Sequence, residues 1–129
     1  MTKFYKPAIA LISLVFSLYI FSTSSIDPEI SIRELVEWMA GSEEIVILDV
    51  RNPEELIGKH GQIEDVINIP IQELENRIAI LNYAKEKKIA VICRSGNRSK
   101  DGTAILVANG FNAYNVKGGM KAYNKVIKK

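Results

Sequence analysis

The feature that most constrains the fold is an alternation of short apolar runs with segments of helical character. Four runs are predicted to be β-strands: residues 45–48, 66–69, 89–92 and 113–116. Strands that are apolar along their length are covered on both faces, which indicates a sheet between two layers of helices. Strands that alternate with helices connect by right-handed crossovers and lie parallel. The sequence therefore predicts an α/β fold with three layers, α/β/α, around a central parallel sheet of about five short strands.

Helix signals lie between these runs. Ser31 and Glu34 form a capping box that opens the first helix. Asn52, followed by a proline and two acidic residues, starts a short second helix. An amphipathic pattern predicts a helix over residues 71–81, and residues 99–109 are also predicted to be a helix.

Composition and charge limit the classes of function. The chain has 129 residues and a net charge of +2, enough for one domain with a substantial core. Lys3 and Lys6 account for this charge, since the remaining basic and acidic residues are equal in number. Nothing in this balance indicates nucleic acid or a membrane surface as a partner. The single cysteine excludes an internal disulfide and a zinc site with several cysteines.

The first 25 residues have the order of a secretory signal peptide. A short basic segment precedes an uncharged run at 8–21, and small polar residues follow at 22–25. As a helix, a run of this length rises about 21 Å, less than the roughly 30 Å of a bilayer core. We expect export to the periplasm with cleavage, and the alternative is an uncleaved N-terminal membrane anchor. Residues 26–129 are then the folded domain.

The only cysteine, Cys93, follows the third predicted strand and opens the loop Cys-Arg-Ser-Gly-Asn-Arg. Functional sites in parallel sheets lie at the carboxyl ends of strands. Amides of a tight loop and of a helix N-terminus can bind a sulfur anion, and Arg94 and Arg98 add fixed positive charge. Gly96 is expected to allow a positive φ. These features predict a nucleophilic thiol with a lowered pKa, and the alternative is a buried structural cysteine.

Four sequence blocks, in this order and spacing, resemble single-domain rhodaneses. They are Leu48-Asp49-Val50-Arg51-Asn52-Pro53-Glu54-Glu55, Gly61-Gln62-Ile63-Glu64-Asp65-Val66-Ile67-Asn68-Ile69-Pro70, Cys93-Arg94-Ser95-Gly96-Asn97-Arg98-Ser99 and Asn115-Val116-Lys117-Gly118-Gly119-Met120. The resemblance runs from about Ile30 to the C-terminus. It implies a sulfurtransferase in which Cys93 takes sulfane sulfur from thiosulfate or a similar donor. The resulting persulfide passes sulfur to cyanide or a thiol. No metal or organic cofactor is implied, and the domain is expected to be a monomer.

The resemblance also implies roles for particular residues. Substrate-binding residues would be Arg94, Ser95, Gly96, Asn97, Arg98 and Ser99, and Ser99 has a plain helix-capping role as its alternative. Asp49 and Arg51 match an Asp-x-Arg motif that supports the active site. For Arg51 the favoured alternative is a structural ion pair with Glu54 or Glu55. His60 receives no role, because this chain has Gly-Gln-Ile where the family often has Gly-His-Ile.

Loop length separates the two activities of the superfamily that the chain resembles. The loop from Cys93 to Arg98 has six residues, as in rhodanese-like sulfurtransferases. The related phosphatases have one residue more, which widens the cradle for phosphate. Sulfur transfer is therefore favoured over a small phosphatase. A persulfide relay or binding module that serves a partner protein is the other alternative.

Overall fold

The computed structural model describes residues 28–128 and has a parallel five-stranded sheet at its centre. The strands are β1 (Glu29–Ile30), β2 (Ile45–Asp49), β3 (Ile67–Asn68), β4 (Lys88–Ile92) and β5 (Asn112–Val116). The α-helices are α1 (Ile32–Ala40), α2 (Pro53–Leu56), α3 (Leu74–Arg77), α4 (Asn97–Ala108) and α5 (Gly119–Ile127). The predicted signal peptide or anchor lies outside the described residues.

The sheet order is β1-β5-β4-β2-β3, and every pair of neighbouring strands is parallel. One face of the sheet carries a core that includes Leu48, Val91 and Leu106 of α4. The opposite face carries a second core, which includes Leu35 of α1 and Met120 of α5. The predicted three-layer α/β/α fold with about five parallel strands is therefore confirmed.

The capping box and the two central strands form as predicted. The Glu34 N–H donates to Ser31 Oγ at 3.1 Å, and the Ser31 N–H donates to a Glu34 carboxylate oxygen at 2.7 Å. β2 and β4 pair along their full length, from Ile45 opposite Lys88 to Asp49 opposite Ile92. Within residues 28–128, no helix has the length and hydropathy that crossing a bilayer requires.

Three elements differ from the sequence prediction. β1 was not predicted, because two residues are too short to show a pattern. The helix predicted at 71–81 is divided into a 3₁₀ turn at Ile71–Glu73, α3, and a 3₁₀ segment at Ile78–Ala84. Leu74 and Leu81 are nevertheless buried, as the predicted amphipathic pattern requires. α4 begins at Asn97, two residues before the predicted start.

A buried ion pair closes the carboxyl end of β2. Arg51 Nη2 lies 2.7 Å from Asp49 Oδ2, and the two side chains are 1% and 0% exposed. The guanidinium also donates to the backbone carbonyls of Glu55 at 3.2 Å and Gly61 at 2.8 Å. The predicted ion pair of Arg51 with a carboxylate of Glu54 or Glu55 was therefore wrong in its partner. Asp49 is nearer, on the same buried strand end, and it satisfies Arg51 with two oxygens.

Removing the cation of this pair leaves Asp49 buried without its partner. We expect Arg51→Met to lower the free energy of unfolding by about 3–5 kcal/mol, measured by urea denaturation. Arg77→Met is the matched control, since Arg77 and Glu73 form an exposed pair at 3.6 Å. We expect Arg77→Met to lower the free energy of unfolding by about 0.5 kcal/mol or less. Similar losses for the two variants would contradict the structural role assigned to Arg51.

Candidate active site

Cys93 is the first residue after β4, at the carboxyl end of the central strand. The residue is 1% exposed. Its sulfur accepts a hydrogen bond from the Gly96 N–H at 3.1 Å and lies 3.2 Å from the Ser99 hydroxyl oxygen. The loop therefore wraps around the sulfur atom itself.

Gly96 makes this loop geometry possible. It precedes α4 as the N-cap residue and has a φ of +105°, as the sequence predicted. A Cβ at this position would lie 3.2 Å from the Gly118 backbone nitrogen. A side chain would therefore meet both backbone strain and the turn that precedes α5.

The N-terminal turn of α5 holds the outer side of the loop. The Met120 N–H donates to the Cys93 carbonyl at 2.8 Å, and the Lys121 N–H donates to the Arg94 carbonyl at 3.0 Å. Gly119 lies against these carbonyls, and a Cβ there would be 2.6 Å from the Arg94 carbonyl carbon. Because the carbonyls point towards α5, the loop can present N–H groups to the sulfur.

Hydrogen bonding outweighs burial at the Cys93 thiol. Burial alone raises the pKa of this thiol, because it disfavours the charged form. Hydrogen bonds from the Ser99 hydroxyl and from the N–H groups of Ser99, Gly96 and Ser95 lower the pKa by more. The net pKa lies below the ordinary value of a cysteine thiol. The direction matches the sequence prediction, but the principal causes of the decrease are hydrogen bonds rather than the two arginines.

Arg98 is already paired within the protein. Its guanidinium makes a bidentate pair with the Glu55 carboxylate, at 2.7 and 2.8 Å. The hydrogen bond from Arg98 lowers the pKa of Glu55 to about 2, so the pair is charged at neutral pH. Substrate binding by Arg98 stays a prediction, and the structure adds that this side chain fastens α4 to α2.

Three of the predicted substrate-binding residues, Arg94, Ser95 and Asn97, are exposed on the rim of the loop. The Arg94 guanidinium makes no hydrogen bond or ion pair with any other residue in the range 28–128. Among the loop side chains that the sequence singled out, it is the cation most available to an incoming anion.

Two adjoining grooves beside the rim are strongly basic. A groove of about 310 Å³ is lined by Arg51, Glu55, Gly58, Lys59, His60 and Arg94. A second, of about 400 Å³, is lined by Lys59, His60, Lys121, Asn124, Lys125 and Lys128. Burial lowers the pKa of His60, and the charges of Lys59 and Lys121 lower it further. In the second groove no lining residue is acidic, and Glu55 in the first is paired with Arg98.

Sequence reasoning missed Asn115 and Glu29. The Ser99 hydroxyl donates to Asn115 Oδ1 at 2.6 Å, and Asn115 Nδ2 donates to Glu29 Oε2 at 3.1 Å. Ser99 and Asn115 are buried, so this chain of hydrogen bonds runs from the sulfur through the sheet to the exposed Glu29. A polar residue within a predicted strand was the available signal for Asn115, and Glu29 had none.

The fold and this loop together define an α/β protein with a buried cysteine thiol, hydrogen-bonded within the loop between a parallel strand and a helix. The family model of the rhodanese-like domain matches residues 31–126. The chain therefore belongs to the rhodanese-like family of sulfurtransferases.

Individual relatives agree with this membership. The chain is 36% identical over 95 residues to protein YtwF of Bacillus subtilis, covering 74% of this chain and 88% of YtwF. It is 28% identical to the thiosulfate sulfurtransferase PspE of Escherichia coli, covering 91% and 90% of the two chains. A crystal structure of a rhodanese-related protein from Thermoplasma volcanium matches with a TM-score of 0.68 and 38% identity. That match covers 77% of this chain and 92% of the other.

A substitution at Gly119 tests whether α5 determines the geometry of the loop around the Cys93 sulfur. We expect Gly119→Ala to displace the Cys93 and Arg94 carbonyls and so to raise the pH midpoint of Cys93 alkylation by iodoacetamide. Gly110→Ala is the control, because Gly110 also has a positive φ but open space around its Cα. We expect Gly110→Ala to lower the free energy of unfolding by about 1–2 kcal/mol through backbone strain. The pH midpoint of Cys93 alkylation should stay unchanged in this variant. Equal midpoints for the two variants would contradict a role of α5 in the pocket.

Proposed function

We propose that this protein is a thiosulfate sulfurtransferase that carries sulfane sulfur on Cys93. The donor is thiosulfate or a similar anion, and the acceptor is cyanide or a thiol. The observation that carries this proposal is the set of polar groups in contact with the Cys93 sulfur, with the Gly96 N–H at 3.1 Å and the Ser99 hydroxyl oxygen at 3.2 Å. The similarity to the E. coli thiosulfate sulfurtransferase supports the choice of donor.

In the first half-reaction, the Cys93 thiolate attacks the outer sulfur of thiosulfate. A bond forms between Sγ and that sulfur, the sulfur–sulfur bond of thiosulfate breaks, and sulfite leaves with the electron pair. In the second half, the acceptor attacks the outer sulfur and Cys93 leaves as the thiolate. The loop amides are fixed before either step, so they stabilise the anionic sulfur without reorganising.

The surroundings of the loop suit an anionic donor. Cys93 is 1% exposed, so a donor reaches its sulfur only after a local rearrangement of the groups that cover it. Arg94 stands on that rim without an internal partner, and the basic grooves continue beside it. Positive potential focused in such clefts raises the local concentration of an anion and its association rate.

Intact-mass spectrometry tests the carrier role of Cys93. After incubation with thiosulfate and removal of small molecules, we expect the protein to gain the mass of one sulfur atom. Addition of cyanide then returns the original mass and releases thiocyanate. Cys93→Ser gains no sulfur and is the matched control, since it changes one atom. Sulfur transfer to cyanide by Cys93→Ser, or Cys93-dependent hydrolysis of an aryl phosphate without sulfur loading, would contradict the proposal.

Charge reversal tests the basic grooves. We expect the double variant Lys59→Glu/Lys121→Glu to raise the KM for thiosulfate about threefold or more while kcat changes less. Added salt reduces the difference in KM between the double variant and wild type, because it screens exposed charges. Lys85→Glu is the control, since Lys85 lies beside Phe111, before the amino end of β4. The idea fails if Lys85→Glu raises KM as much as the double variant does.

A further inference from the structure

The Ser99 hydroxyl has one hydrogen atom and two acceptors within reach. Its oxygen lies 2.6 Å from Asn115 Oδ1 and 3.2 Å from the Cys93 sulfur. A hydroxyl donates one hydrogen at a time, so the sulfur and the amide oxygen compete for it. The shorter contact is the one to Asn115.

Glu29 fixes which end of the Asn115 amide faces Ser99. Asn115 Nδ2 lies 3.1 Å from Glu29 Oε2, and an ionised carboxylate can only accept hydrogen bonds. The amide nitrogen must therefore face Glu29, which leaves Oδ1 facing Ser99 as an acceptor. In this arrangement Ser99 donates to Asn115 and turns a lone pair towards the sulfur. The protonated thiol satisfies that lone pair by donating to Ser99 Oγ.

We infer that Asn115 is a positioning residue, which holds the hydrogen of Ser99 away from the Cys93 sulfur until the thiol ionises. The thiolate receives the Ser99 hydrogen bond only when Ser99 gives up its bond to Asn115. Ionisation is thereby made less favourable than it would be if the Ser99 hydroxyl donated only to the sulfur. The chemical benefit is nucleophilicity, because a thiolate of very low pKa is a weaker nucleophile. The benefit for nucleophilicity rests on the proposed function, whereas the competition for the Ser99 hydrogen does not.

Other charged groups around Cys93 come from every element packed against the loop. They are Arg94 in the loop, Arg98 in α4 with its partner Glu55 in α2, Asp49 at the end of β2 with its partner Arg51, Lys121 on α5 and Glu29 on β1. Asn115→Leu removes the hydrogen bond to Glu29, but it does so with and without Ser99, so this change cancels in a double-mutant cycle. A comparison of variants at those two positions therefore isolates the shared hydrogen.

The test is a double-mutant cycle that measures the pH midpoint of Cys93 alkylation. Wild type, Asn115→Leu, Ser99→Ala and the double variant are treated with sulfite, which strips any persulfide, and then titrated with iodoacetamide. We expect Asn115→Leu to lower the midpoint by about one half to one pH unit, because Ser99 then donates only to sulfur. In the Ser99→Ala background the same substitution has no effect on the midpoint.

A merely structural role of Asn115 gives a different result. An unchanged or raised midpoint in Asn115→Leu overturns the inference, and so does an equal decrease in both backgrounds. Asn115→Val, whose side chain suits a strand, replaces Asn115→Leu if circular dichroism shows that the leucine variant is misfolded. Sulfur loading by wild type is measured separately. Loss of loading refutes the proposed function, while a failed cycle refutes only the role of Asn115.

Discussion

The site depends on one backbone arrangement, in which the loop after β4 turns its N–H groups inward and its carbonyls outward. N–H groups can converge on the Cys93 sulfur only if the carbonyls of the same segment find donors elsewhere. The first amides of α5 supply those donors, to Cys93 at 2.8 Å and to Arg94 at 3.0 Å. The glycine turn before α5 is thus part of the site, because it packs against the loop backbone that surrounds the sulfur.

The arginines near the site divide into two kinds by their partners. Arg51 and Arg98 have carboxylate partners: Arg51 joins the carboxyl end of β2 to α2, and Arg98 joins α4 to α2. Arg94 has no such partner within the described part of the chain and stands beside the basic grooves. Two arginines therefore maintain the shape of the loop, and the third is available to an anion. The lowered pKa of Cys93 comes from hydrogen bonds within the loop rather than from guanidinium charge.

Features set by local sequence were predictable, and features set by distant pairing were not. The central strands, the Ser31 cap and the positive φ of Gly96 follow from patterns of a few residues. The Arg98–Glu55 pair joins residues 43 positions apart, and the Asn115–Glu29 bond joins residues 86 apart. Both depend on the order β1-β5-β4-β2-β3, which places distant segments side by side. β1 escaped detection for the same reason, since only its pairing with β5 makes two residues a strand.

The space around the Cys93 sulfur limits which group this cysteine can carry. The Gly96 N–H at 3.1 Å and the Ser99 hydroxyl oxygen at 3.2 Å are in direct contact with the sulfur, so they do not leave room for oxygen atoms around it. A phosphoryl group brings three such oxygens, and each needs its own donor in the loop. A single sulfur atom adds only one small, polarisable anionic centre beyond Sγ. The tight six-residue loop, locked by Gly96 and α5, is therefore better matched to a persulfide than to a phosphocysteine.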